Sequence, residues 1–346
     1  MEQVREAEVD RGELSEAIGR FAGRRILVVG DIMLDEYLTG RVDRVSPEAP
    51  VPIVALAERS ARPGGAANVA LNVAAMGGEV SLVGLCGEDE GAGLLRAAFA
   101  EAGLGTDGLV VSRARRTTRK ARVLAQGQQL LRVDSEDAFA TQPGERVDVV
   151  ERATRIARAF RPEVIVFEDY DKGCLDGESI AALLALAKGL GAQTVVDPKA
   201  RNFWAYRGVD LLKPNLREAS EACDRRAALA GPTDVARLAE ELRARSGSAR
   251  VLVTQGAEGA VLASPRHPRG LHGGARRLSV ADVCGAGDSV AAAVALGLAA
   301  GVTDATLLRL ANLAGGLACE YVGVRPVGAG DLVAGVRAIW ISTDTD

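Results

Sequence analysis

Short apolar runs recur along the chain, each closed by a glycine or a polar residue. Arg25-Ile26-Leu27-Val28-Val29-Gly30 has no polar interruption and is rich in β-branched residues, the pattern of a strand buried on both faces. The pattern returns at Glu79–Gly84, Val164–Phe167, Gln193–Val196, Asp210–Leu212 and Arg250–Thr254, with amphipathic Ala/Leu-rich stretches between several of them. Strands alternating with helices predict an α/β protein whose mostly parallel sheet is covered by helices on both faces. In such sheets ligands sit beyond the carboxyl ends of the strands, which directs attention to the residues just after each run.

Two segments depart from this rhythm. Tyr37–Leu56 contains three prolines and ends in Val51-Pro52-Ile53-Val54-Ala55-Leu56, and Thr117–Val133 alternates Lys120, Arg122 and later Arg132 with apolar neighbours. Both predict half-exposed strands, which would form a small β lid spanning about residues 37–58 and 115–136. A charged helical lead-in precedes the first run. With no internal repeat or Pro/Gly/Ser linker, residues 1–346 are expected to form one domain.

Composition narrows the function classes. Aromatics are only 3%, so stacking platforms for nucleic acid are scarce, and a formal net charge of −4 offers no general attraction to phosphate backbones or anionic lipid. The expected partners are therefore small molecules, without nucleic acid or membrane. Cys86, Cys174, Cys223, Cys284 and Cys319 form no C-x-x-C pair, and His267 and His272 complete no zinc-type cluster, which suits reduced thiols in a cytoplasmic protein. Met1–Arg20 lacks the apolar core of a signal peptide, and Val290–Gly301 is too short to span a bilayer and predicts a buried helix.

The strongest chemical signal is Asp282-Val283-Cys284-Gly285-Ala286-Gly287-Asp288-Ser289, which opens the Ala-rich helix. Backbone N–H groups of Gly285, Ala286 and Gly287 can face a phosphoryl group at a helix N-terminus, and Asp288 can accept a hydroxyl proton. The plain alternative is a helix cap. A second glycine turn, Arg62-Pro63-Gly64-Gly65-Ala66-Ala67-Asn68, also opens a helix, where backbone and the Asn68 amide could meet sugar hydroxyls or merely allow close packing. Asp31 and Asp35 follow the first strand at the ligand edge, where either could be only a turn residue.

These three sites, in this order, resemble the ribokinase (PfkB-type) family of carbohydrate kinases over nearly the whole chain. The resemblance implies a Rossmann-like sheet with a β lid. It places Gly285–Gly287 in an anion hole, Asp288 as catalytic base, and Asp35, Gly64, Gly65 and Asn68 on the sugar. Lys213-Pro214-Asn215-Leu216-Arg217-Glu218 looks like the family's Asn-x-x-Glu motif, with Glu218 acting on Mg²⁺ through water. Lys199, Lys213, Asn215, Thr254, Gly256, Gly259 and Asn312 fall on the nucleotide side, making ATP and Mg²⁺ the implied cofactors.

Finer marks resemble the family's heptose 7-phosphate kinase branch, which serves lipopolysaccharide core synthesis: Gly30–Asp35, Ser46–Pro52, Gln128–Asp134, Asp169-Tyr170 with Lys172-Gly173, and Asp197-Pro198-Lys199. The implied reaction phosphorylates the anomeric hydroxyl of D-glycero-D-manno-heptose 7-phosphate, with Lys120, Arg122, Arg132 and Lys172 as candidates for the existing phosphate. Cys284 and Ser289 stand where such kinases usually have Thr, Glu168 where Ser is usual and Gln255 where Arg is usual; Val324-Arg325-Pro326 is also unusual. Bifunctional relatives carry a nucleotidyltransferase domain after the kinase, for which this chain has no room. A separate nucleotidyltransferase and phosphatase are the expected downstream partners, and a homodimer through the lid is expected.

Other readings are weaker. The first strand leads into Gly30-Asp31-Ile32-Met33 and not G-x-G-x-x-G, against a dinucleotide-dependent oxidoreductase, and no P-loop string occurs. A kinase for another sugar, or a sugar-binding regulator derived from a kinase, remains open at this stage.

Overall fold

The computed structural model describes residues 4–137, 142–225, 231–275 and 282–341, so the ends of the expected domain, 1–3 and 342–346, lie outside the described residues. A ten-stranded sheet runs in the spatial order Arg5–Glu6, His267–Gly273, Ala260–Ser264, Arg250–Thr254, Leu211–Leu212, Gln193–Asp197, Val164–Glu168, Arg25–Gly30, Glu79–Gly87, Leu109–Ser112. Neighbouring strands are parallel except Ala260–Ser264, which is antiparallel to both its partners.

Alternate residues of the central strands feed opposite cores. Ile26 and Val28 pack with Val164 and Val166 beneath the helices Ala66–Ala75, Ala286–Ala299 and Asp304–Ala318. Leu27 and Val29 pack with Ile165 and Phe167 beneath Pro143–Phe160, Gly177–Leu190 and Pro232–Ser246. A strand buried on both sides has no polar face to show, which is why these runs are apolar at every position. Each fully buried Val, Ile or Leu contributes about 1.5–3 kcal/mol relative to exposure.

A second sheet of four strands has the order Pro52–Gly65, Ile32–Val45, Thr118–Ala125, Gln128–Ser135. Its first pair is longer than the sequence suggests, because Ile32–Val45 continues almost directly from the central strand and its inner end is buried. The prolines explain the hairpin: Pro47 and Pro50 lie in the connection and Pro52 is the first residue of the returning strand, where no ladder donor is required. Val45, Val51, Leu56, Leu130, Leu131 and Val133 are exposed on or beside this sheet.

Candidate active site

The helix Ala286–Ala299 is apolar almost all round and buried, and its first turn lies against Asn68 and Tyr170. Gly285 is its N-cap and takes φ 77°, a left-handed conformation that glycine adopts without steric cost. A Cβ there would also stand 2.8 Å from the Asn68 amide nitrogen, so a side chain is barred by both backbone and neighbour. The turn gathers backbone N–H groups at the helix N-terminus, that of Ala286 making only a long 3.4 Å bond to the Val283 carbonyl, and places Asp288 within the first helical turn.

Asp288 is only 4% exposed and is gripped on both oxygens. Asn68 Nδ2 donates to Oδ2 and the Tyr170 hydroxyl donates to Oδ1, each at 2.7 Å. Burial pushes the carboxyl up to about 6, against the lowering effect of these two donors. Such a carboxylate is ionised at neutral pH and still basic enough to take a proton from a hydroxyl. Asn68 is itself fixed from behind. Asn72 Nδ2 donates to its Oδ1 at 3.1 Å, and Asn72 Oδ1 accepts from Ser289 Oγ and from the Val327 N–H, both at 2.9 Å. That polar chain orients the Asn68 amide so that its nitrogen faces Asp288.

The two acidic residues after the first strand divide their work. Asp31 accepts the backbone N–H groups of Tyr170, Lys172 and Cys174 at 2.7, 3.0 and 2.9 Å, so it shapes the turn that delivers Tyr170 to Asp288. Asp35 is ion-paired with Arg122 at 2.5 Å and lies against Gly64, where an added Cβ would meet Asp35 Oδ2 at 2.1 Å. Gly64 is therefore required by the carboxylate beside it. Gly65, the N-cap of Ala66–Ala75, carries the chain from the lid into that helix.

Beneath the glycine turn lies a cluster of charges. Lys213 is 2.7 Å from Asp197, and Lys199 is 2.6 Å from Glu218 and 3.6 Å from Asp197. Burial alone would raise the Asp197 carboxyl, but the two ammonium groups outweigh it and hold it below the ordinary range. Asn215 and Glu218 form a capping box at the start of Leu216–Ala222, each side chain accepting the other's backbone N–H. Thr254, Gly256, Gly259, Asn312, Gly287 and Val290 line a mostly apolar cavity of about 330 Å³ on the other side of the turn.

The four basic candidates near the lid are not equivalent. Arg122 is engaged by Asp35, Arg132 by Asp134 at 2.8 Å and Lys172 by Glu136 at 2.7 Å. Lys120 has no carboxylate at ion-pair distance among the described residues and stands 5.2 Å from the Tyr170 ring centre. Tyr170 and Asp197 are parts of the site to which motif spacing gave no role. They follow or end strands at the sheet's ligand edge, the same signal that singled out Asp31.

Comparison with known proteins identifies the family and the fold. The family model "pfkB family carbohydrate kinase" matches residues 24–329. Two curated relatives named "Bifunctional protein HldE" are similar: that of Caulobacter vibrioides is 43% identical over 91% of this chain, and that of Azotobacter vinelandii 40% over 92%. The chain spans 64% and 65% of their respective lengths. Among solved structures, phosphofructokinase-2 from Escherichia coli superposes with a TM-score of 0.75 at 22% identity, covering 92% of this chain and 99% of that one. The ribokinase of Arabidopsis thaliana, solved with ribose and ATP, gives 0.71 at 17%, covering 91% and 99%.

Proposed function

The chain belongs to the pfkB family of carbohydrate kinases, and on that premise we propose that it transfers the γ-phosphoryl group of ATP to the anomeric hydroxyl of D-glycero-D-manno-heptose 7-phosphate. The observation that carries this reading is Asp288 at the mouth of the glycine turn, oriented by Asn68 and Tyr170. Asp288 takes the proton of the attacking hydroxyl, and the N–H groups of Gly285–Gly287 stabilise the charge on the phosphoryl group in transit. Asp35 and the Asn68 carboxamide hold the sugar beneath the lid. Lys213 and Lys199, held by Asp197 and Glu218, place two ammonium donors on the phosphate side of the turn, and the apolar cavity beside Val290 suits a purine base. The heptose 7-phosphate assignment is supported by the sequence marks of that branch and by Lys120, in register with Asp35 and without a carboxylate at ion-pair distance among the described residues.

Incubating the purified protein with Mg-ATP and a panel of pentose, hexose and heptose phosphates tests the reading directly. The expected product, identified by mass and NMR, is heptose 1,7-bisphosphate. Phosphorylation of a different sugar would reassign the substrate, and binding without phosphorylation would favour a regulator.

No group of three or more His, Cys, Asp or Glu side chains that could hold a metal ion occurs among the described residues, and both Glu218 oxygens are engaged, by Lys199 and by the Asn215 N–H. This donor set suits a cation carried mainly by the phosphates of ATP and by water, with Glu218 reaching it only through water. Mg²⁺ supplies charge neutralisation when bound. Activity is expected to require Mg²⁺ and to tolerate Mn²⁺, and full turnover in excess EDTA would contradict this.

The lid sheet ends in two edge strands and exposes six large apolar side chains on or next to it. Such an edge invites a second copy. The protein is expected to be a dimer by light scattering, and Leu131→Asp should shift it towards monomer; a wild-type monomer at micromolar concentration would count against the lid as interface.

A further inference from the structure

Glu168 is a buried acid to which the transfer described above gives no task. It ends the Val164–Glu168 strand, is 0% exposed, and sits in register with Asp197 on one neighbouring strand and Gly30 on the other. Neither of its carboxyl oxygens has a hydrogen-bond donor among the described residues. An ionised carboxylate in that state would lose its hydration and gain nothing in return, a cost of several kcal/mol.

The surrounding charges do not offer it a partner. Asp197, Asp288, Tyr170, Lys213 and Lys199 are the titratable groups that face it. Lys213 is held by Asp197, and Lys199 is shared between Glu218 and Asp197. The carboxylates of Asp197, Glu218 and Asp288 already outnumber the two ammonium groups. A further anion has no counter-charge. A carboxylic acid does have a use here, because Asp197 is the register partner of Glu168 on the adjacent strand and the lysines hold its carboxyl below the ordinary range.

We propose that Glu168 is a neutral carboxylic acid at neutral pH that donates its proton to the Asp197 carboxylate and thereby positions the Asp197–Lys213–Lys199 cluster beneath the glycine turn. Burial, with Asp197 and Asp288 close by, keeps its proton on well above the ordinary carboxylate range. The cluster is near enough to matter. A methyl group built on Gly287 would stand 3.8 Å from Lys213 Nζ and 3.9 Å from Asp197 Oδ2. Loss of the Glu168 proton would set two carboxylates against each other at the ends of adjacent strands and draw the ammonium groups away from the turn. Glu168 is a positioning residue and touches no substrate. Its effect on rate rests on the kinase reading; its protonation does not.

The experiment compares wild type, Glu168→Gln and Glu168→Ala. Gln keeps a neutral donor to Asp197, so its turnover at neutral pH should stay within about threefold of wild type; wild-type kcat is expected to fall as rising pH removes the Glu168 proton, and the Gln variant should lack that fall. Ala should lower kcat about tenfold or more with a smaller change in KM. Infrared difference spectra at about pH 7.5, above the Asp288 transition, should show a protonated-carboxyl band in wild type that Glu168→Gln removes. Because the folded-state pKa is raised, wild-type stability should fall as pH rises through it, and the Gln variant should lack that fall. Absence of the infrared band together with an unchanged melting profile in Glu168→Gln overturns the proposal, even if no sugar is phosphorylated. Equal loss of activity in Gln and Ala overturns the positioning role.

Discussion

Asp288→Asn is expected to lower turnover by about two to four orders of magnitude while ATP binding is preserved, the scale of losing a general base. The substitution is close to isosteric. The Asn68 amide can still donate to the remaining oxygen, and the new amide can donate to the Tyr170 hydroxyl, so the site's shape survives while its proton acceptor does not. In the wild type, kcat/KM should rise with pH through about 6, where the buried carboxyl ionises, and that acid limb should be missing from the variant's residual activity. The same shift acts on stability. The folded pKa is raised from 3.8 to about 6, so the contribution of Asp288 is fully present below 3.8 and is lost as pH rises through about 6. At most on the order of 3 kcal/mol is involved, since one pKa unit is about 1.4 kcal/mol. The asparagine variant should therefore melt higher than wild type at neutral pH and about equally at pH below 4. Near-normal turnover would remove Asp288 from the chemistry, and a lower melting temperature at neutral pH would show that its ionised form stabilises the fold.

The second large effect is expected at Lys120. A doubly charged phosphate at the far end of the sugar seeks a cation not already neutralised, and three of the four candidates are paired: Arg122 with Asp35, Arg132 with Asp134 and Lys172 with Glu136. Lys120 lies partly buried over Tyr170; burial lowers its pKa from the usual lysine value while Asp35 acts against that. An incoming phosphate would favour its charged form and supply the missing partner. Lys120→Ala should reduce kcat/KM for heptose 7-phosphate and narrow its preference over unphosphorylated heptose at least tenfold, about 1.4 kcal/mol of transition-state binding. Arg132→Ala and Lys172→Ala should change the preference less, because their carboxylates would be released along with them. Equal losses for both sugars would assign Lys120 to the sugar ring, and a wild-type preference for the unphosphorylated sugar would end the heptose-phosphate assignment.

Much of the fold was legible in the linear order of residues because burial leaves a local imprint. The run Ile26-Leu27-Val28-Val29 is apolar at every position since its side chains alternate between two cores, and that pattern needs no partner to be recognised. The short strands Arg5–Glu6, Leu109–Ser112 and Ala260–Ser264 were missed, because a few residues carry too little periodicity to separate strand from loop. The antiparallel direction of Ala260–Ser264 was likewise invisible, since direction depends on where the chain returns and not on composition.

The candidate site divides in the same way. By itself the sequence determined the glycine turn at Gly285–Gly287, Asp288 at the head of an apolar helix, and the second glycine turn before Asn68, because helix starts and tight turns are encoded in consecutive residues. Only the tertiary structure decided that Asn68 and Tyr170 hold Asp288, that Asp31 delivers Tyr170, and that, among the described residues, Lys120 alone of the four basic candidates lacks a carboxylate partner and Glu168 pairs in register with Asp197 without a donor. Those contacts join positions 118 and 220 residues apart. Their distances, and the burial that shifts a carboxyl to about 6, arise only when separate strand ends are brought to one edge of the sheet and water is excluded between them.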